Sequence, residues 1–158
     1  MPEGPSIVMA REELKPFAGH TVIDVAGSGK LDLSLLENQK IIAFRSWGKH
    51  LLICFSGFTV RIHFLLFGSY LVNSEKKAIP KLSLIFDNGV IHFYACAIKL
   101  LEGDANQLYD WSADLMSEQW NARKAKAKVK KMPDKMVCDT LLDLPPGLLA
   151  AFAVPFVP

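Results

Sequence analysis

Between Thr21 and Ala95 the chain divides into short runs rich in β-branched and aromatic residues, and this succession limits the fold more than any other feature. TVIDVAG, KIIAFRS, HLLICFS, FTVRIHF, SYLVN, KLSLIFD and VIHFYA are separated by Gly, Asn or Ser, the punctuation of strands joined by turns. In FTVRIHF, Phe58, Val60, Ile62 and Phe64 alternate with Thr59, Arg61 and His63, so one face is apolar and the other polar. Asp87-Asn88-Gly89 reads as a hairpin turn, since Asn and Gly tolerate positive φ, and Ser56-Gly57 as a weaker one. Six or seven strands at this spacing imply a sandwich or a flattened barrel.

A different period precedes them. Ile7, Ala10, Leu14 and Phe17 recur at helical spacing; Ser6 reads as the N-cap, Pro5 lies just outside, and Gly19 marks the end. After Gly103 the polar segment DANQLYDWSADLMSEQWNARK suits short helices, and PDKMVCDTLLD looks like the start of another, capped by Asp134. The expected class is α+β, mainly β: a two-layer β-sandwich with an N-terminal helix and flanking helices. With 51% hydrophobic residues among 158, the chain has material for a core and does not read as disordered. Its formal charge of +2 is unevenly spread, with seven of 18 basic residues lying between Arg123 and Lys135 against the single acid Asp134. Cys54, Cys96 and Cys138 are far apart, which suits reduced thiols in the cytoplasm better than a disulfide framework. No signal-peptide pattern and no membrane-spanning run are visible.

Four stretches could carry chemistry. In MPEGP, removal of Met1 would leave Pro2 as a secondary amine of pKa near ~8, partly neutral at physiological pH and able to attack an aldehydic carbon. Glu3 lies within reach to move protons. The plain alternative is a frayed tail. In SWGKHLLICF, Gly48 turns the chain and Lys49 opens a strand, a placement suited to a phosphate or to an ordinary solvated edge. In IHFLLFG, Leu65, Leu66 and Phe67 ahead of Gly68 exceed what strand alternation would bury; they could wedge into a base stack, or both faces of the strand could be covered. RKAKAKVKK could neutralise phosphates or serve as a solvated linker. His20, His50, His63 and His92 show no metal-ligand spacing, so no metal is expected in this chain.

Together these stretches resemble the formamidopyrimidine-DNA glycosylase / endonuclease VIII family of base-excision repair enzymes. The resemblance rests on MPEGP (1–5), WGKHLL (47–52), IHFLLFG (62–68), IKLLEG (98–103) and KMVCDTLLD (135–143), in that order, and covers about residues 1 to 143. It implies a catalytic β-sandwich domain over 1–115 and, over 116–143, a linker and the start of a helical domain with a helix–two-turn–helix. By position, Pro2 resembles the nucleophile that attacks C1′ of the damaged nucleotide. Glu3 resembles the general acid of sugar-ring opening, and Lys49 the lysine that contacts phosphate and assists elimination. His63 falls at the family's histidine before the intercalating loop. Leu66 aligns with the residue that fills the space left by the everted base, flanked by Leu65 and Phe67. The implied reaction is base removal and strand cleavage (glycosylase and AP lyase) through a Schiff base, on damaged double-stranded DNA, by a monomer with no membrane association, in a bacterial cytoplasm or nucleoid.

Gly4, Gly-Lys-His and a leucine wedge look more like endonuclease VIII, which implies oxidised pyrimidines; the Arg-Phe pair of purine-specific members is not evident around YACAIKLLEG. Ser6 stands where many members carry a glutamate. After Asp143 the family's Gln and Gly-x-Gly-Asn segment is replaced by LPPGLLAAFAVPFVP, so 144–158 reads as an atypical tail, with the rest of the helical domain and the zinc finger missing. Catalytic residues are then present while DNA affinity and activity are expected to be impaired. A non-catalytic, nucleic-acid-binding β-sandwich fragment is the other expectation.

Overall fold

A computed structural model describes residues 2–28 and 31–124; the readings of Asp134 as a cap, of the helix after it, of Cys138 and of the 144–158 tail lie outside these residues. The first element, α1, spans Gly4–Leu14 and continues into a 3₁₀ turn at Lys15–Phe17. Its N-cap is Glu3, not Ser6, and Pro5 lies inside the first turn. The earlier start costs little, because N–H groups of a first turn have no helical acceptor and proline lacks only that donor. Ser6 acts in reverse of the expected cap, its hydroxyl accepting from the Glu3 N–H at 2.9 Å. Ile7, Ala10, Leu14 and Phe17 are all buried, as their spacing requires.

The strands are β1 (Asp24–Ala26), β2 (Ala43–Trp47), β3 (His50–Cys54), β4 (Phe58–Val72), β5 (Leu82–Phe86) and β6 (Gly89–Glu102). All pairings are antiparallel, in the order β1-β5-β6-β4-β3-β2. The mainly β class of the sequence reading is observed, and the strands form one continuous sheet. FTVRIHF and SYLVN merge into the 15-residue β4, and VIHFYA extends through IKLLE into the 14-residue β6. Early β4 pairs with β3, while the part of β6 facing late β4 pairs with β5. The two edges meet: Thr21 bridges Lys40, with Val22 N–H donating to Gln39 O at 2.9 Å and Gly19 N–H to Ile41 O at 2.8 Å. The sheet is thereby closed on itself in the manner of a flattened barrel, which removes most exposed strand edge.

Inside lie Ile7 and Leu14 of α1 and Phe17 of the 3₁₀ turn after it, with Leu51, Ile53, Val60, Ile62, Phe64, Leu82, Leu84, Ile91 and Phe93. Every residue of β3 is buried. Leu51 and Ile53 face this core, while Leu52 and Cys54 join Trp47 and Ala105 in a second cluster, against Tyr109 and Trp111. That outer cover is a strap formed by α2 (Ala105–Leu108) and a 3₁₀ turn at Trp111–Ala113. The β2–β3 hairpin is thus gripped on both faces. The β5–β6 turn has two loop residues, and positive φ falls on Gly89 (146°) rather than Asn88.

Phe93 is completely buried at the centre of this core. Phe93→Ala is expected to cost about 3–5 kcal/mol, read as a lowered urea midpoint with the helix and strand signature retained below it.

Candidate active site

The N-terminus of α1, the β2–β3 turn and the middle of β4 bring the candidate residues together. Gly48 and Lys49 are the whole loop between the paired residues Trp47 and His50. Gly48 sits at φ 54° and Lys49 has no positive φ, the pattern of a type II′ turn, in which the first loop position favours glycine. The turn carries the Lys49 ammonium to Glu3, where Nζ donates to Oε1 at 2.9 Å. Forty-six positions apart in the chain, the two form an ion pair at the start of α1.

Pro2 is half-buried and lines a cleft of about 400 Å³ with Ser6, Ile7, Glu13, Gly68, Ser69 and Tyr70 among its walls, a volume in the range of small-ligand sites. Tyr70 and Glu13, which sequence reasoning missed, meet there: the phenol donates to Glu13 Oε2 at 2.6 Å. Burial and this carboxylate push the Tyr70 hydroxyl pKa upward, so it remains a donor. Polar residues at helix and strand spacing gave no signal that they would converge.

Leu65, Leu66 and Phe67 lie in an irregularity of β4. Phe64 pairs with Cys96 and Ser69 with Tyr94, so residues 65–68 together face the single Ala95, which takes φ 46°. The surplus bulges outward. Leu65, Leu66 and Phe67 are 48%, 63% and 82% exposed, so covering of both strand faces, the plain alternative for this stretch, does not occur. Gly68 closes the bulge, and a Cβ there would lie 2.7 Å from Phe64 Cβ and 2.9 Å from Ala95 O, so no other residue fits without displacement.

His63 lies half-buried on β4, opposite His50 of β3. Burial, Arg61 and Lys49 lower its pKa, so it is neutral beside Lys49 at physiological pH. His50 is more extreme: burial first, then Arg61 and His63, bring it to about 4. It is stacked on Trp47 at 5.9 Å between ring centroids, and its Nδ1 has no hydrogen-bond partner. Cys54 and Cys96 are free, and burial raises both thiols to about 11, which makes them inert. Among the described residues no group of three or more His, Cys, Asp or Glu is placed to hold a metal, and no helix is long and apolar enough to cross a membrane. Of the basic run only Arg123 and Lys124 are described.

Pro2, Glu3 and Lys49 thus lie at one end of an antiparallel β domain, next to an exposed apolar loop. Residues 1–98 match the formamidopyrimidine-DNA glycosylase N-terminal domain, and the chain belongs to that family. It is 27% identical over 148 residues to endonuclease 8-like 3 of Mus musculus, covering 89% of this chain and 24% of that protein. Against endonuclease 8-like 3 of Xenopus laevis it is 27% identical over 135 residues, 78% of this chain and 22% of the other. The chain therefore spans less than a quarter of the length of these curated relatives. Among solved structures, a viral DNA glycosylase superposes with a TM-score of 0.73 at 19% identity, over 90% of this chain and 63% of that one. Lactococcus lactis formamidopyrimidine-DNA glycosylase, bound to DNA containing an abasic site, gives 0.66 at 16% identity, over 82% and 58%.

The histidine environment has a pH signature. The unfolded chain binds a proton at His50 near 6.5 and the folded chain only near 4, so between these values the unfolded state holds more protons and stability rises with pH. Urea midpoints should fall as pH drops from 6.5 to 4, and His50→Phe should flatten that part of the profile.

Proposed function

We propose that this chain is the catalytic part of a base-excision DNA glycosylase with AP lyase activity, acting on oxidised bases, pyrimidines in preference to purines. The observation that carries the reading is the continuity of β4. Three exposed apolar side chains are followed at once by Gly68, Ser69 and Tyr70, which line the cleft holding Pro2. A base displaced from a duplex by Leu66, with Leu65 and Phe67 alongside, has a cavity next to the wedge that displaced it. Eversion costs a few kcal/mol and is least costly for a damaged pair.

The chemistry requires Pro2 to be the first residue, its nitrogen a free secondary amine. The lone pair attacks C1′, the glycosidic bond breaks, and the base departs with its electron pair and a proton. Glu3 protonates the ring oxygen as the sugar opens, giving an iminium between Pro2 and C1′. That cation acidifies C2′; loss of a C2′ proton expels the 3′-phosphate, and a second elimination expels the 5′-phosphate. Lys49, half-buried and paired among the described residues with the Glu3 carboxylate, exchanges that partner for a DNA phosphate, which frees Glu3 to take up a proton from solvent and act as the acid. His63, neutral beside it, donates a hydrogen bond to the backbone without adding charge. All of these steps use side chains and the terminal amine and need no cofactor from this chain.

Borohydride trapping on abasic duplex tests the reading. A covalent adduct is expected from protein whose N-terminal residue is shown by mass spectrometry to be Pro2, and none from a variant with one residue added ahead of it. Leu66→Ala should lower trapping on a duplex lesion about tenfold by removing the wedge, while abasic single strands react as before. Salt-dependent DNA binding with no adduct would replace the enzyme by a non-catalytic DNA-binding domain.

A further inference from the structure

We infer that Glu13, held by Tyr70, reads the C4 position of the everted base. It selects oxidised cytosines, whose C4 amino group donates, over oxidised uracils and thymines, whose C4 carbonyl accepts. The inference rests on the glycosylase reading above and narrows its substrate class. Pro2, Ser6, Ala10 and Glu13 line the cleft at intervals of four, four and three residues, the spacing of one helical face, together with Ser69 and Tyr70 of β4. Ser6 and Ala10 are short side chains, so the stretch between Pro2 and Glu13 is left open. At a rise of about 1.5 Å per residue, Glu13 lies roughly 10 Å along α1 from Ser6, at the end of the cleft away from Pro2. The Tyr70 hydroxyl stands at that end, donating to Glu13 Oε2 at 2.6 Å, and its ring packs 6.1 Å from that of Phe64.

The charges of α1 set Glu13 apart from its neighbour. Glu12 is paired with Arg11 and Lys15, whereas among the described residues no cation lies within salt-bridge distance of Glu13. A carboxylate without a cation, in a cleft that admits a nucleotide, repels phosphate; what it can hold is an N–H group of the base. Burial and then Glu13 raise the Tyr70 pKa, so the phenol keeps its proton and directs it to Glu13. The pair therefore presents acceptors only. In a pyrimidine the C4 substituent lies diametrically across the ring from the glycosidic bond. With C1′ at Pro2, that substituent is the group nearest the far end of the cleft. An amino group there donates to Glu13 Oε1, as acidic side chains accept from cytosine N4 in duplex readout. A carbonyl there sets oxygen against oxygen.

The test compares release of 5-hydroxycytosine and 5-hydroxyuracil by the full chain. The two bases carry the same lesion and differ at C4 and in the N3 proton; single strands are used so that no pairing energy enters. The wild type is expected to favour 5-hydroxycytosine about tenfold, the weight of one hydrogen bond to a charged acceptor. Glu13→Gln, whose amide turns either a donor or an acceptor to the base, should bring the preference within about twofold. Tyr70→Phe, which frees the carboxylate to rotate, should lower it about threefold. The ratio of the two rates does not move when part of a variant is unfolded. Equal release by the wild type, or an unchanged ratio in Glu13→Gln, overturns the inference. Binding of the same strands with 2′-fluoro sugars, whose glycosidic bonds resist cleavage, reads the preference without catalysis. Kd for the cytosine analogue should be about tenfold lower than for the uracil analogue in the wild type and within about twofold of it in Glu13→Gln. Analogues bound equally, or neither bound, overturn the inference even if trapping succeeds. Wild-type protein that neither traps abasic DNA nor releases either base overturns the catalytic reading instead, and the binding ratio then decides the base contact alone.

Discussion

The ladder between β4 and β6 is the constraint on which the rest depends. It runs from Phe58 opposite Glu102 to Val72 opposite Ile91, and both cores and the candidate site are hung on it. Phe64, Phe93 and Ile91 are buried on either side of its one irregularity, so neither half can slip to absorb the surplus residues; a slip of one position would turn every apolar side chain to the wrong face. The surplus must leave the sheet. Leu65, Leu66 and Phe67 are exposed because the register around them is locked, and an exposed apolar cluster set beside a cleft is a feature a chain keeps for contact with something else.

Electrostatics places the candidate groups less than packing does. The Glu3–Lys49 pair is short at 2.9 Å, but the carboxylate is about half exposed, and such pairs contribute only ~0–1 kcal/mol. That is too little to bring together groups from two ends of the domain. Ile7 and Leu14 seat α1 on the core, and burial of an apolar side chain is worth roughly 1.5–3 kcal/mol; the hairpin is fixed by apolar contact on both of its faces. The ion pair is therefore a consequence of the fold, weak enough to be exchanged for another partner.

Much of the fold was legible because strands and helices leave periods that local chemistry enforces. The buried stripe of α1, the alternation in FTVRIHF and the turns at Ser56-Gly57 and Asp87-Asn88-Gly89 all correspond to observed elements. What was illegible depends on distant partners. Nothing local announces that FTVRIHF and SYLVN are one strand, since the bulge between them is set by β6. Burial of β3 on both faces follows from a strap that begins some fifty residues later. Ser6 was misplaced as a cap because its hydroxyl suits either end of the reciprocal arrangement, and proline inside a first turn is permitted rather than required. At the site, Pro2, Glu3 and Lys49 were identified by resemblance. Their meeting could not be read from spacing, and Tyr70 and Glu13 were missed because ordinary polar residues acquire meaning only through neighbours.

The distribution of buried charge around the hairpin follows one rule. The hairpin's turn bears the Lys49 ammonium, and among the described residues the groups packed behind it form no ion pair with it. His50 is held neutral by burial between Trp47 and Tyr109, and His63 is kept neutral in part by Lys49 itself. Asp114, 1% exposed, accepts from the Met116 backbone N–H at 3.2 Å, and burial raises its pKa. A buried carboxylate satisfied in this way costs far less than a bare one, and it does not draw the ammonium inward. Among the described residues Lys49 is left with Glu3, the partner that the proposed chemistry requires it to release.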